Sequence, residues 1–175
     1  RQRQMCIRDR GYIHRMSPAP LNLHQRVVTN IGGEIQHYLK RKKCKVYIAP
    51  FDVRFPKKGE EINDNKICTV LQPDICVVCD SSKLDEKGCV GAPDMIVEVV
   101  SVSSAKKDLD YKFNIYEESG VAEYWLVYPK DKSITIYLLD EKGKYQLKYI
   151  FTNEGKVPVT TVAGLEIDME DVFDI

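Results

Sequence analysis

The hydrophobic pattern divides the chain into two helical stretches and a series of short apolar runs. Apolar residues spaced by three and four across residues 24–43 predict an amphipathic helix. A second helix is predicted over residues 103–119, closed by Gly120. The remaining apolar runs are short and rich in Val, Ile and aromatic residues, which favours strands. This order of elements is typical of a mixed α/β (α+β) single domain.

The predicted strands are separated by short polar segments. Residues 80–91 are expected to form a polar loop, and residues 157–175 a strand followed by an acidic turn. The other predicted strands cover residues 45–55, 67–79 with a break at Pro73, 92–101, 122–128, 134–139 and 145–151, the last two forming a hairpin.

The chain of 175 residues is long enough for one domain with a substantial core, and residues 11–175 are assigned to it. Residues 1–10 hold four Arg and show neither a helix nor a strand period. We expect them to be a non-native or disordered leader and leave them out of the fold prediction.

The charge balance argues against a globally basic nucleic-acid binder. Lys plus Arg and Asp plus Glu both total 26, so the formal net charge is zero. A nucleic-acid partner then requires a local basic face, for which the basic residues within 40–45, with Lys57 and Lys58, are the candidates. No run is long enough to span a membrane, and we expect a cytoplasmic protein.

The six cysteines include a CxxC spacing formed by Cys76 and Cys79. This spacing is common in zinc sites, which need a turn, but here it falls in a predicted strand whose alternation separates the two side chains. We therefore expect Cys76 and Cys79 to be free thiols without metal, acting as small apolar residues in a reducing compartment.

Trp125 is expected to be structural. It lies in a predicted interior strand, where a large aromatic side chain belongs more often to the core than to a base-stacking surface. We expect it to pack on the helix that carries Tyr116.

Two acidic residues interrupt strands that are otherwise apolar. Asp74 opens the second half of the 67–79 segment, and Glu98 lies within 92–101. An ionised carboxylate in such a strand is costly unless it is paired or binds a metal. If the two strands are neighbours, Asp74 and Glu98 repel one another, and a divalent cation relieves that repulsion. Hard oxygen ligands favour Mg²⁺ or Mn²⁺ over zinc.

Lys112 is the third candidate site residue. It shares one face of the second predicted helix with Ala105, Leu109 and Tyr116, which directs it toward the sheet and toward Glu98. Asp108, one turn earlier, is placed to orient it. The competing interpretation is that Lys112 passes the edge of the core and pairs with a surface acid.

These residues resemble the PD-(D/E)xK nuclease signature, although the usual Lys position, two after the Glu, is Val100 here. Over residues 12–172 the chain is similar to the Uma-two family of restriction-endonuclease-like proteins, which carries the Lys on the following helix, as Lys112 would be. Val102 stands where the family has a proline. The matching segments are Ser17-Pro18-Ala19-Pro20, His24-Gln25, Gln72-Pro73-Asp74, Gly91-Ala92-Pro93-Asp94, Val97-Glu98-Val99-Val100-Ser101, Asp108 with Lys112, and Gly120-Val121-Ala122-Glu123-Tyr124-Trp125.

The resemblance implies a restriction-endonuclease-like fold, a central mixed sheet flanked by helices, and metal-dependent endonuclease activity on DNA. It implies that Asp74, Glu98 and the Val99 carbonyl bind Mg²⁺ or Mn²⁺, and that Asp74, Glu98 and Lys112 are catalytic. Glu34 on the first helix is a further candidate for the metal shell. The expected partner is nucleic acid, with double-stranded DNA the favoured form, and a homodimer is possible. The alternative is a catalytically silent nucleic-acid-binding or interaction module on the same fold.

Overall fold

The computed structural model describes residues 6–9, 12–15, 22–56, 67, 69–101 and 106–174. The first half of the chain contains β1 (Cys6–Asp9), β2 (Tyr12–Arg15), α1 (Asn22–Leu39), β3 (Lys45–Ile48), β4 (Val53–Phe55), β5 (Thr69–Leu71), β6 (Ile75–Val78), a 3₁₀ turn (Ser81–Lys83), β7 (Leu84–Asp85) and β8 (Gly88–Val90). The second half contains β9 (Met95–Val99), α2 (Lys106–Ser119), β10 (Glu123–Tyr128), β11 (Ser133–Leu139), β12 (Tyr145–Thr152), β13 (Lys156–Pro158), β14 (Glu166–Asp168) and α3 (Met169–Val172).

A six-stranded sheet of order β12-β11-β10-β9-β6-β3 forms the centre of the fold. Strands β9 and β10 are parallel and the other neighbours are antiparallel, so the sheet is mixed. The apolar residues of α1 and α3 pack on one face of the sheet. Tyr116 of α2 belongs to the cluster on the other face. The predicted architecture, a mixed sheet flanked by helices, is confirmed.

A second sheet has the order β2-β1-β5-β4-β8-β7, and its strands β4, β5 and β8 add residues to the α2 side of the core. Residues 45–55 were predicted as one strand, but the structure has two, β3 and β4, which belong to different sheets. Pro50 lies between them and cannot donate a ladder hydrogen bond. The predicted polar loop 80–91 also contains the β7–β8 hairpin, which its polar composition did not indicate.

The ends of two predicted elements differ from the structure. Helix α1 ends at Leu39, so the basic run 40–43 follows the helix instead of forming its last turn, and Arg41 has a left-handed φ of 65°. Residues 6–9 form a strand paired with β2 and β5, although their sequence shows no strand period. The predicted start of the second helix at residue 103 lies outside the described residues. In the described part of the chain, no helix is long and apolar enough to cross a membrane.

Cys79 forms a disulfide with Cys44, so the prediction of a free thiol is wrong at this position. The cause is the antiparallel pairing of β3 with β6, in which Lys45 lies opposite Val78. The next pair outward is Cys44 and Cys79. Cys76 is a free, buried cysteine, as predicted.

Trp125 is fully buried, which confirms that it belongs to the core, but it faces the α1 side of the sheet. The predicted packing on the helix of Tyr116 is therefore wrong, and Tyr124 makes that contact with ring centroids 5.2 Å apart. The Trp125 indole donates a hydrogen bond of 2.8 Å to Glu123. Glu123 is fully buried and also accepts hydrogen bonds from the backbone N–H and the hydroxyl of Thr161. These bonds connect β10 to the turn at residues 160–161.

Candidate active site

Asp74 and Glu98 lie next to each other at the start of β6 and within β9, which are neighbouring strands of the central sheet. Strands β6 and β9 are antiparallel, with Ile75 opposite Val97. Asp74 directly precedes Ile75 and Glu98 directly follows Val97, so the same register continues into the Asp74–Glu98 pair. Two carboxylates that the sequence places 24 positions apart are thus side by side.

Glu98 is a buried carboxylate with a donor on each oxygen. Its side chain is 6% exposed, and Lys112 Nζ lies 2.9 Å from Oε2. The Tyr116 hydroxyl donates to Oε1 at 2.7 Å. Burial raises the pKa of Glu98 above its ordinary value, the Lys112 charge opposes this increase, and the Asp74 charge adds to it.

Lys112 contacts Glu98 as its helical spacing predicts. It lies on α2 with Leu109 and Tyr116 at spacings of three and four, and its side chain is only 12% exposed. The alternative, in which Lys112 extends to a surface acid, does not account for this contact with buried Glu98. The side chains of Ala105 and Asp108, which were predicted on the same face, lie outside the described residues.

Asp74 is more accessible than Glu98, with 21% of its side chain exposed. Its Oδ2 accepts a hydrogen bond of 2.8 Å from the Val99 N–H. The same oxygen lies 3.3 Å from His24 Nε2. Asp74 therefore links the start of β6 to the end of β9 and to the first turn of α1.

His24 is the site residue that the sequence reasoning did not assign a role. It lies in the first turn of α1, three and four residues before buried Val27 and Val28, and its side chain is 11% exposed. The hydrogen bond to Asp74 raises the pKa of His24, burial opposes this, and the charges of Asp74 and Glu98 add to the increase. The sequence did carry a signal for His24, because a polar residue on the apolar face of a helix is unusual.

The donor set at Asp74 and Glu98 suits a hard divalent cation. Carboxylate and carbonyl oxygens are the ligands that Mg²⁺ and Mn²⁺ accept. The Asp74 charge raises the pKa of Glu98, and this is the repulsion that a cation would relieve. Within the described residues, no three His, Cys, Asp or Glu side chains already stand together as a ligand group. An ion here would be held by Asp74, Glu98, the Val99 carbonyl and water.

Two further candidates are not brought to this site. Glu34 is exposed on α1, ten residues or about 15 Å of helix from His24. It lines a surface pocket with Glu166 and Asp168. Lys45, at the end of the basic run, lies opposite Val78, about 13 Å along β6 from Asp74. Lys57 and Lys58 lie outside the described residues.

Comparison with known proteins supports a nuclease assignment at the level of family and fold. A solved structure described as that of a putative nuclease belonging to DUF820, from Anabaena variabilis ATCC 29413, is similar with a TM-score of 0.73. The two sequences are 18% identical, and the match covers 97% of this chain and 90% of the other. No curated protein matches the chain. The model of the Uma2 (Uma-two) family, described as "Putative restriction endonuclease", matches residues 1–170, and the chain therefore belongs to that family.

Proposed function

We propose that the protein is a metal-dependent endonuclease that hydrolyses phosphodiester bonds in DNA, with its catalytic centre at Asp74, Glu98 and Lys112. The observation that carries the proposal is buried Glu98, which contacts Lys112 and lies beside Asp74 in the β6–β9 register. A buried acid, a second acid and an inward Lys are costly for a fold, and such groups occur most often at functional sites.

Asp74, Glu98 and the Val99 carbonyl would hold Mg²⁺ or Mn²⁺. When bound, a divalent ion polarises a phosphate oxygen and makes a coordinated water more acidic. Asp74 is the more exposed of the two acids and therefore lies on the side from which the substrate approaches.

Lys112 has two roles in this proposal. Its ammonium group favours the ionised form of Glu98, because its charge and its hydrogen bond both oppose the increase in pKa that burial causes. It also supplies positive charge near the phosphate while negative charge develops on the oxygens. Removal of one such charge-stabilising group reduces the rate by about 10² or more.

The proposed substrate is double-stranded DNA bound through a small number of phosphate contacts. A net charge of zero predicts modest affinity. The basic residues 40–45 lie away from Asp74, so they would contact backbone phosphates at a distance from the scissile bond. Binding should weaken as salt is added, with a slope that counts only a few phosphates. Sites on the two strands of a duplex could be cut by a homodimer.

A silent binding module is the competing function, and one observation favours it. Both oxygens of Glu98 already accept hydrogen bonds from Lys112 and Tyr116, as in a purely structural buried carboxylate. Each carboxylate oxygen has a second lone pair, which leaves room for a metal ion. The nuclease should therefore cleave DNA in a reaction that depends on Asp74, whereas the binding module should not cleave DNA at all.

The test measures cleavage and binding of supercoiled, linear and branched DNA with Mg²⁺, with Mn²⁺ and with EDTA. The native protein should cleave only with metal. Asp74→Asn should abolish cleavage and leave DNA binding within about twofold, because it removes an ion ligand and no phosphate contact. Glu34→Gln, at the exposed acid on the same helix as His24, is the matched control and should cleave normally. Equal DNA binding by the native protein and Asp74→Asn, with no cleavage under any condition, would establish the binding module.

A further inference from the structure

The proposed function leaves the position of His24 unexplained. The ring is held at the start of α1 with its side chain 11% exposed, and Nε2 lies 3.3 Å from Asp74 Oδ2. The other ring nitrogen, Nδ1, is buried and finds no hydrogen-bond partner among the described residues. Nε2 is therefore the ring nitrogen that faces the site.

The Nε2 edge of His24 faces Asp74, one of the groups that are proposed to hold the ion. It contacts Asp74 directly, and the negative charge of Glu98 and the backbone of Val99 also act on the ring. The proposed ion ligand Asp74 is therefore the direct neighbour of this ring nitrogen.

We propose that His24 is a nitrogen ligand of the divalent ion, beside Asp74 and the Val99 carbonyl, and that it makes the site prefer Mn²⁺ over Mg²⁺. This inference rests on the ion in the proposed function and adds a ligand and a metal preference to it. Glu98, which is held by Lys112 and Tyr116, would remain the second carboxylate of the site.

The preference follows from the chemistry of the donors. Imidazole nitrogen binds first-row transition ions well, whereas Mg²⁺ prefers oxygen ligands and keeps several of its waters. A site made only of Asp74, Glu98, the Val99 carbonyl and water has no such bias. One imidazole at this position would introduce it, since Mn²⁺ accepts both nitrogen and oxygen ligands.

The test uses Mn²⁺ as a spectroscopic probe of the full-length protein. Electron spin-echo envelope modulation should show ¹⁴N coupling from a coordinated imidazole in the native protein. His24→Gln replaces the nitrogen donor by an amide that offers an oxygen ligand and still has an N–H group for Asp74. Its bound Mn²⁺ should lose the coupling. His37→Gln, at an exposed His on the same helix, is the matched control and should retain it.

Calorimetric titration gives a second readout. The ratio of Mg²⁺ to Mn²⁺ dissociation constants should fall by about tenfold or more in His24→Gln, because metal sites lose about 10- to 100-fold in affinity even when only an outer-shell partner is removed. His37→Gln should keep the native ratio. The coupling in the native protein decides the question even if His24→Gln does not fold.

Mn²⁺ binding that depends on Asp74 but shows no ¹⁴N coupling would overturn this inference and leave the proposed nuclease function intact. An unchanged metal preference in folded His24→Gln would overturn it as well. Absence of any Asp74-dependent Mn²⁺ binding would overturn both the inference and the metal-dependent function.

Discussion

Replacing Lys112 by Met tests whether Glu98 is an ionised carboxylate inside the protein. The substitution keeps a long, unbranched side chain at 12% exposure and removes only the ammonium group from Glu98. Burial then raises the pKa of Glu98 without opposition from the Lys112 charge. We expect a marked loss of stability at neutral pH, where that carboxylate must ionise without its partner.

The size of the effect follows from the contact. At the 2.9 Å separation of Nζ and Oε2, two unit charges attract by about 6 kcal/mol with an effective dielectric constant of 20. Part of this energy offsets the desolvation of the two groups. Breaking a buried pair by removing one partner costs about 3–5 kcal/mol. For a chain of this length that loss lowers the midpoint of thermal unfolding by roughly 6 °C or more.

The assay is urea unfolding of the metal-free protein from pH 5 to pH 8. Because burial raises the pKa of Glu98, the folded state binds its proton more tightly than the unfolded state, and stability increases as pH falls through the folded pKa toward the ordinary value of 4.5. The stability difference between native protein and Lys112→Met should therefore shrink toward low pH. Lys144→Met, which removes an ammonium group that is 64% exposed from Glu117, is the matched control and should change stability less than Lys112→Met.

A variant with both residues replaced completes a double-mutant cycle for the Lys112–Glu98 pair. Lys112→Met with Glu98→Gln removes both charges and should recover most of the lost stability, since buried pairs can often be replaced at little cost. Equal destabilisation at every pH, or no recovery in the double variant, would refute the conclusion that Glu98 is held as an ionised buried acid.

Three other predictions concern neighbouring contacts. Tyr116→Phe leaves Glu98 without its 2.7 Å hydroxyl donor and should cost about 1.5–3 kcal/mol in chemical denaturation, the usual size for a hydrogen bond to a charged group. Glu123→Ala leaves the Trp125 indole and two backbone N–H groups without their acceptor. It should cost at least about 2 kcal/mol, measured by the same unfolding. The pKa of His24 is raised above 6.5, so its stabilising ion pair is fully present below pH 6.5 and lost as pH rises through the folded pKa. Metal-free His24→Gln should lack this dependence in a stability–pH profile.

The sequence predicted the carboxylates and Lys112 because each carries a local signal. An acid inside a run of Val and Ile contradicts the strand around it, and this holds for Glu98 whatever the strand pairs with. A Lys at helical spacing from Leu109 and Tyr116 must point toward the core side. These signals depend only on nearby residues, so one sequence is enough to read them.

Contacts between distant segments could not be predicted in the same way. The strand period places Cys79 at the end of β6 but does not reveal that β3 is the neighbour, and only that pairing brings Cys44 beside it. His24 has the same limitation. Its helix position was correctly predicted, but its contact with Asp74 depends on how α1 crosses the sheet.

The sequence also did not show which face of the central sheet each helix would cover. Alternation shows that Tyr124 and Trp125 point to opposite faces, but the choice of which face receives α2 is made by the connection between β9 and β10. This is why Trp125 was correctly predicted as core and placed against the wrong helix.

Anomalous X-ray diffraction from crystals soaked in Mn²⁺ is the most direct test of the proposed metal centre. We expect a peak within about 2.0–2.3 Å of an oxygen of Asp74, with Glu98 and the Val99 carbonyl on the same ion, and no such peak in Asp74→Asn. Manganese found only at the surface acids near Glu34, with the Asp74–Glu98 pair empty, would show that these two carboxylates are not the metal centre.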